Sequence, residues 1–227
     1  MIKLYATDCE GPVVLNDNAF EICQYFLPAG DKFFKQISLY DDYLAEIEKR
    51  EGYQAGNTLA LILPFLKAFD VTERDIKNYS KNHLELVPEV KETLQKIQNI
   101  LPVYIISTSY SPFIDAVCEK LELPKKRAFS SQIALDRYGL SQEEKHFLRN
   151  TLKSILELPL VEIEGCSSPQ DLDESTQKTI RYLDDVFGEK LPKYNVNKLI
   201  ENVQIVGAKE KAKTVKKICE DRKSTRL

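Results

Sequence analysis

Residues 2–12 read IKLYATDCEGP. Residues 2–7 form a short β-prone run, which Gly11 and Pro12 break, so Asp8 stands at the carboxyl end of a predicted strand. Asp8 and Glu10 are two residues apart, and in an extended segment their side chains project to the same side. Cys9 would point the opposite way, into packing. The segment therefore predicts a strand with two carboxyl groups at its end.

A second predicted strand follows near the middle of the chain. Pro88 begins an amphipathic helix, and after Pro102 comes VYII at 103–106, a continuous apolar run typical of a strand buried on both faces of a parallel sheet. This run ends at the polar residues 107–109, a helix follows, and residues 128–135 predict one or two further short strands. The order of helix, buried strand, helix and strand predicts an α/β fold with a three-layer, Rossmann-like parallel sheet core.

Two helical stretches interrupt this predicted core. Residues 15–85 carry helical spacing with few strand signals, and residues 139–199 form a second, mostly helical and acidic stretch. A short strand at 203–207 and a lysine-rich helix to about residue 220 return the chain to the core. The predicted core is therefore made of residues 1–14, 86–138 and 200–227.

Composition excludes several classes of protein. The chain has 227 residues, of which 43% are apolar and 30% charged, as in ordinary soluble globular proteins, and its net charge of −3 gives no field that recruits nucleic acid. The longest apolar run, 59–66, is too short to cross a membrane, and the N-terminus lacks a signal peptide pattern. Five scattered cysteines without a C-x-x-C pair indicate reduced thiols and no zinc site. A cytoplasmic location is predicted.

Polar residues follow the predicted strands at the places where ligands bind in open parallel sheets. Asp8 and Glu10 follow the first strand, Ser107 follows the second, and lysines follow Val206. A carboxylate nucleophile with a second carboxyl group is what phosphoryl transfer through an aspartyl-phosphate needs. A purely structural interpretation stays open, in which Asp8 caps the strand end, Glu10 is a solvated loop residue, Ser107 caps the next helix and the lysines form a solvated cluster.

The same segments resemble the haloacid dehalogenase superfamily. Residues 7–12 look like its first motif, an apolar strand followed by D-x-D, and residues 103–107 look like its second, an apolar strand that ends in Ser or Thr. Lys211, at the start of the run KAKTV, resembles the lysine of the third motif. Residues 88–139 are similar to the phosphoserine-phosphatase-like members, and residues 8–12 also resemble an uncharacterised archaeal branch of predicted hydrolases.

The resemblance implies a role for each of these residues. Asp8 would be the nucleophile and a Mg²⁺ ligand, and Glu10 would act as acid and base and ligate Mg²⁺ through its backbone carbonyl. Ser107 would donate a hydrogen bond to a phosphoryl oxygen. Lys211 would neutralise that group and Asp8, with Lys209 and Lys213 as competing candidates.

The resemblance also makes residues 15–85 a helical cap that excludes water and selects the substrate. Its polar candidates for substrate contact include Lys32, Asp41 and Asn57. Residues 139–199 would form a second cover or a partner surface.

The chain departs from the family pattern at two points. Glu10 stands where Asp is commoner, although a longer carboxyl side chain can still act as acid and base. The acidic fourth motif is absent, and Glu220 and Asp221 follow a helix without an intervening strand, which makes them poor substitutes. Since those carboxylates complete the Mg²⁺ site, we expect weaker metal affinity and activity. The polar ending looks like a truncated or frame-shifted terminus.

The leading hypothesis is a Mg²⁺-dependent phosphomonoester hydrolase or phosphotransferase that acts on a small phosphorylated molecule through an aspartyl-phosphate at Asp8. The alternative is a catalytically impaired or truncated protein that binds a phosphate ligand or a protein partner without turnover, so enzymatic activity is left open. A receiver-like signalling domain is disfavoured because the large insertion and Glu10 have no purpose there. No nucleic acid or membrane partner is expected, and a homodimer is an open alternative.

Overall fold

Three parallel strands form the sheet of this protein. The computed structural model describes residues 3–53 and 55–224. The strands β1 (Tyr5–Thr7), β2 (Val103–Tyr110) and β3 (Ala128–Ser131) lie side by side in that order. Tyr5 pairs with Val103 in β2, and Ile105 of the same strand pairs with Ala128. The predicted α/β fold with a parallel sheet is confirmed, and Ile2 of the predicted first strand lies outside the described residues.

Helices make up most of the rest of the described chain. They are α1 (Asn18–Phe26), α2 (Gly30–Asp42), α3 (Thr58–Ala68), α4 (Glu73–His83), α5 (Val90–Gln98), α6 (Ser111–Leu121), α7 (Gln142–Glu157), α8 (Glu174–Asp184), α9 (Lys198–Asn202) and α10 (Ala208–Ser224). The π-helical turns Tyr43–Ile47 and Asp185–Lys190 extend α2 and α8. Within residues 3–53 and 55–224, none of the helices is both long and apolar enough to cross a membrane.

The chain divides into two compact units. The first contains the sheet and comprises Met1–Ala19, Arg74–Ile133 and Gln204–Leu227. The second is helical and comprises Phe20–Glu73 and Ala134–Val203. The two insertions that the sequence presents as separate segments therefore contribute to one unit.

A buried central helix explains why the two insertions join. Nearly every residue of α3 is buried, from Thr58 to Ala68, so this helix needs partners on all sides. It contacts α2 from the first insertion and α7 and α9 from the second. The apolar residues Leu148, Leu152 and Ile155 of α7 are buried. Packing around α3 holds the second insertion to the first.

The core of the sheet unit lies where α5 and α6 pack against β2. Val103 and Ile105 are fully buried there. Cys9, directly after Asp8, belongs to the same hydrophobic cluster and has no exposed surface, as the strand pattern predicted. Its neighbour Asp8 is thereby fixed beside the core. The cluster also contains Val13, Val14, Val90, Leu94, Phe113, Ile114, Val117, Cys118, Leu121 and Leu123.

The second strand runs further than the sequence predicted. It continues through the polar residues 107–109 to Tyr110, and its pairing with β3 becomes irregular between Ile106 and Tyr110. The helix α6 begins only at Ser111. Ser107 and Ser109 are buried, so the polar run is part of the sheet. The prediction that the strand ends at Ser107 was wrong.

Residues 203–207 do not form the strand that the sequence predicted. Gln204 forms a single antiparallel bridge with Gln132. The next groups of the main chain bind side chains instead, because the N–H of Val206 donates to Ser131 Oγ and its carbonyl accepts from Thr108 Oγ1. The backbone pairing between the segments of Gln132 and Gln204 therefore does not extend beyond this one bridge.

Gly30 is expected to tolerate no side chain. A Cβ at this position would clash with the backbone carbonyl of Cys23, because the start of α2 lies directly against α1. We expect Gly30→Ala to lower the free energy of unfolding by about 3 kcal/mol. Urea unfolding would measure it, with Gly188→Ala as a control, since a Cβ at Gly188 meets nothing within 4 Å. Equal effects of the two substitutions would contradict this packing.

Candidate active site

Asp8 pairs with a lysine at the end of β1. It follows Thr7, the last residue of that strand. Asp8 Oδ1 accepts a hydrogen bond from the N–H of Cys9 at 2.8 Å, and Lys211 Nζ lies 2.5 Å from Oδ2. The side chains of Asp8 and Lys211 are 46% and 27% exposed. A small anion can therefore reach both groups.

Side-chain hydrogen bonds place the helix that carries this lysine. Thr108 and Ser131 bind the two main-chain groups of Val206 at 3.1 and 3.0 Å. The helix α10 begins two residues later, and Lys211 N–H donates to the carbonyl of Gly207. Docking of Val206 onto the sheet thus sets the first turn of α10 against the end of β1.

Only one of the three candidate lysines is found at Asp8 among the described contacts. Lys211 forms the ion pair, whereas Lys213 pairs with Glu210 at 2.6 Å on the exposed side of α10. Lys209 is exposed. This distribution follows from helix geometry, because residues two apart on a helix face different directions.

Glu10 is held by two donors that both bind one oxygen. Its Oε1 accepts from the N–H of Asn18 at 3.1 Å and from Ser109 Oγ at 2.9 Å. A tight turn after Glu10 allows this, since Gly11 adopts φ +94° and donates to the carbonyl of Val14. Burial raises the pKa of Glu10 above its ordinary value, and the two hydrogen bonds oppose that rise. A carboxyl group in this state is suited to proton transfer.

The raised pKa predicts a pH-dependent stability that Glu10→Gln should remove. The folded protein holds the Glu10 proton above the ordinary pKa of 4.5, so its contribution to stability is complete below pH 4.5 and is lost as the pH rises through the folded pKa. Glutamine keeps an acceptor oxygen but carries no titrating proton. We therefore expect the free energy of unfolding of Glu10→Gln, relative to wild type, to increase with pH above 4.5. Urea unfolding in EDTA would measure it, and a pH-independent difference would contradict the prediction.

Ser107 is buried next to Ser109. It is 1% exposed, and its Oγ accepts from the N–H of Ser109 at 3.1 Å and lies 2.9 Å from Ser109 Oγ. It does not cap α6, which follows Tyr110. The structure brings Ser107 towards Glu10 through Ser109, and no described contact joins it to Asp8 or Lys211.

Sequence reasoning missed the residues that support the site. Ser109 and Asn18 bind Glu10, and Thr108 and Ser131 position the segment before α10. The available signal was the polar run 107–109 directly after an apolar strand. Because side chains alternate along a strand, the hydroxyl of Thr108 binds the carbonyl of Val206, whereas Ser107 and Ser109 bind each other and Ser109 binds Glu10.

The predicted Mg²⁺ ligands are Asp8 and Glu10. Across residues 3–53 and 55–224, no three His, Cys, Asp or Glu side chains are grouped so that they could hold a metal ion. Mg²⁺ is usually held by one or two carboxylates, with water and substrate oxygens completing the octahedron. The carboxylate of Asp8 and the backbone carbonyl of Glu10 are hard oxygen donors, the type of ligand that this ion binds. Glu220 and Asp221 lie within α10.

Cys9 is expected to be chemically inert in the folded protein. Burial, followed by the charges of Glu10 and Asp8, raises its pKa far above the ordinary value, so almost no thiolate forms near neutral pH. We expect iodoacetamide to leave Cys9 unmodified until urea unfolds the chain, while the half-buried Cys219 reacts in native conditions. Peptide mass spectrometry would read both. Rapid native modification of Cys9 would show that the turn beside Asp8 opens.

Among the polar candidates in the helical unit, Asp41 has a structural role. Asp41 is 2% exposed and accepts hydrogen bonds from Tyr53 Oη, the N–H of Gly56 and both donors of Thr58. It therefore fixes the turn before α3. Asn57 stands directly before that helix. Lys32 instead lines an open cavity of about 430 Å³, together with Phe20, Asp31, Phe34, Lys35, Ser38 and Leu39.

Comparison with known proteins bears on the fold. No family model matches the sequence, and no curated protein matches it. The chain is similar to gene product AF1437 from Archaeoglobus fulgidus. The solved structure of that protein matches with a TM-score of 0.80 and 30% sequence identity over 98% of this chain. This chain spans 64% of the length of that relative.

Proposed function

We propose that this protein hydrolyses or transfers the phosphoryl group of a small phosphomonoester through an aspartyl-phosphate at Asp8. The observation that carries the proposal is the carboxylate of Asp8 at the end of β1 with Lys211 Nζ at 2.5 Å. A half-buried second carboxyl group, Glu10, stands two residues further along the chain and has a raised pKa. Nucleophile, cation and proton donor are the three groups that this chemistry requires.

The proposal includes the finer architecture that the family resemblance implies. The sheet unit would be a three-layer, Rossmann-like core that carries the reacting groups. The helical unit would have the role of a cap, which excludes water and selects the substrate. Lys32 would be a candidate contact for the substrate, in a cavity whose lining also includes Asp31 and apolar side chains.

In the first step an Oδ atom of Asp8 attacks phosphorus, and the bond from phosphorus to the leaving oxygen breaks. The leaving oxygen takes the proton of Glu10, which is then ionised. Lys211 balances the negative charge of the phosphoryl group during transfer, and fixed cations of this type commonly give the largest part of the stabilisation. The product of this step is phosphorylated Asp8 and a free alcohol.

In the second step water attacks phosphorus while Glu10 accepts a proton from that water. The bond from Asp8 to phosphorus breaks, inorganic phosphate leaves, and the starting protonation state of Glu10 is restored. Acid–base assistance of this kind contributes roughly 10²–10⁴ in rate. The alcohol of a second substrate in place of water would give phosphoryl transfer.

Mg²⁺ held by the Asp8 carboxylate and the Glu10 carbonyl would supply positive charge for the phosphoryl oxygens. The remaining oxygens of its shell would come from water and substrate. Lys211 shares the carboxylate of Asp8 with that site, so it also limits the charge repulsion between Asp8 and an incoming phosphate.

Phosphate release from 4-nitrophenyl phosphate, with Mg²⁺ and with EDTA, tests the proposal. Turnover that depends on Mg²⁺ is the expected result. The second candidate is a protein that binds phosphate without turnover, and the exposed pair of Asp8 and Lys211 favours it as an anion site. Calorimetric binding of inorganic phosphate in the absence of any turnover would select this candidate and refute hydrolysis.

A further inference from the structure

Two serines of β2 form a short hydrogen-bonded chain that ends at Glu10. Ser109 Oγ donates to Glu10 Oε1 at 2.9 Å, and Ser107 Oγ lies 2.9 Å from Ser109 Oγ. All three side chains belong to the sheet unit, and both serines are at least 96% buried by their exposures of 1% and 4%. The bond between the two serines is buried, whereas the bond from Ser109 to Glu10 is partly buried.

The donor and the acceptor in each hydrogen bond among Ser107, Ser109 and Glu10 follow from the number of protons that the hydroxyl groups carry. A hydroxyl group has one proton to donate. Ser109 uses its proton on Glu10, so the short contact between the two serines requires Ser107 to donate to Ser109. Ser107 also accepts the N–H of Ser109. In this arrangement the single proton of Ser107 is directed at Ser109 and not at a phosphoryl oxygen.

We propose that Ser107 and Ser109 are positioning residues that hold Glu10, and that Ser107 does not bind the phosphoryl group directly. The role of Glu10 in proton transfer comes from the proposed function, whereas the hydrogen bonds that hold Glu10 do not depend on it. It replaces the expected role of Ser107 as a phosphate-binding donor. Ser109 acts on Glu10 directly, and Ser107 acts through Ser109.

The positioning also determines which oxygen of Glu10 reacts. Asn18 and Ser109 both donate to Oε1, and no described hydrogen bond falls on Oε2. The carboxyl group is therefore held by one oxygen, and Oε2 is the oxygen that exchanges a proton with the leaving group.

The irregular pairing of β2 with β3 coincides with the residues that support the site. Between Ile106 and Tyr110 the register against β3 shifts, and such irregularities redirect side chains. Ser107 and Ser109 turn to Glu10, while Thr108 between them turns to the carbonyl of Val206. One short stretch of strand thus supports both the proton donor and the segment before Lys211.

Kinetics and phosphate binding of matched variants test the positioning role. For Ser109→Ala we expect kcat to fall about 10-fold while the Kd for inorganic phosphate changes less than about 2-fold. Ser109→Thr should restore most of kcat because it returns the hydroxyl group. Ser107→Ala should have a smaller effect on kcat, none on phosphate binding, and no further effect in the Ser109→Ala background. Ser175→Ala, which removes a serine donor to the carboxylate of Asp173 in the helical unit, is the control.

The opposite pattern would overturn the assignment. A Ser107→Ala variant that binds phosphate about 10-fold more weakly, with kcat unchanged at saturation, would place Ser107 on the phosphoryl group. Additive effects of the two serine substitutions on kcat would show that Ser107 does not act through Ser109.

An unfolding measurement separates this inference from the proposed function. Urea unfolding of Ser109→Ala, Glu10→Ala and the double variant is expected to give non-additive losses, since both substitutions remove the same hydrogen bond. A wild-type protein without turnover would refute the proposed function. Additive unfolding effects would independently refute the serine contact with Glu10.

Discussion

Asp8→Asn is expected to abolish phosphate release, with a loss in kcat of roughly 10³-fold or more. An amide nitrogen and oxygen cannot replace the carboxylate as nucleophile, and no second group in the proposed mechanism takes over that step. The fold should survive, because the pair of Asp8 and Lys211 is partly exposed and such ion pairs contribute about 0–1 kcal/mol. Phosphate release under saturating substrate would measure the effect, and circular dichroism would verify the fold.

The matched control is Asp185→Asn. Asp185 forms an ion pair with Lys190 at 2.6 Å, with both side chains 46% exposed, but it belongs to the helical unit. This control removes a comparable ion pair and should leave kcat unchanged. An Asp8→Asn variant with more than about a tenth of wild-type turnover would exclude Asp8 as the nucleophile.

Lys211→Met is expected to lower kcat by about 10²–10³-fold, as the loss of one fixed donor to a developing anion typically does. The methionine side chain keeps most of the length but lacks the charge that balances Asp8 and the phosphoryl group. Binding of inorganic phosphate should weaken as well, because the cation contacts the anion in the ground state too. Steady-state kinetics and calorimetry would measure the two effects.

Lys213→Met provides the control on the same helix. Lys213 pairs with Glu210 on an exposed surface and has 72% of its side chain exposed. Its replacement should change neither kcat nor phosphate affinity by more than about 2-fold. Equal losses in the two variants would mean that α10 attracts phosphate only through its overall charge.

The sheet was predictable because its strands carry strong local patterns. The apolar run at 103–106 and the Gly11-Pro12 break after Asp8 depend on residues that are adjacent in the chain. The position of Asp8 after its strand could therefore be predicted from the sequence. The continuation of β2 to Tyr110 could not be predicted, because the hydroxyl groups of Thr108 and Ser109 find partners on segments distant in the chain.

The segment 203–207 was misassigned for a related physical reason. Its apolar alternation is typical of a strand, yet the main-chain groups of Val206 bind the side chains of Ser131 and Thr108. A pattern of hydrophobic residues reports burial and does not report which groups accept the backbone hydrogen bonds.

Local sequence patterns also could not predict which lysine pairs with Asp8, or that the two insertions pack into one unit. Lys209, Lys211 and Lys213 are equivalent in sequence, and the docking of Val206 decides which one reaches Asp8. The buried helix α3 binds elements from both insertions, a long-range effect that the helical spacing of either insertion does not reveal.

Trapping of the phosphorylated residue tests the central claim most directly. The protein would be mixed with 4-nitrophenyl phosphate and Mg²⁺, quenched during turnover, and treated with borohydride, which reduces an aspartyl-phosphate to homoserine. Peptide mass spectrometry is expected to find homoserine at position 8 in the wild type and in Asp185→Asn, and none in Asp8→Asn. Turnover without homoserine at position 8, or with the modification on another residue, would contradict the account.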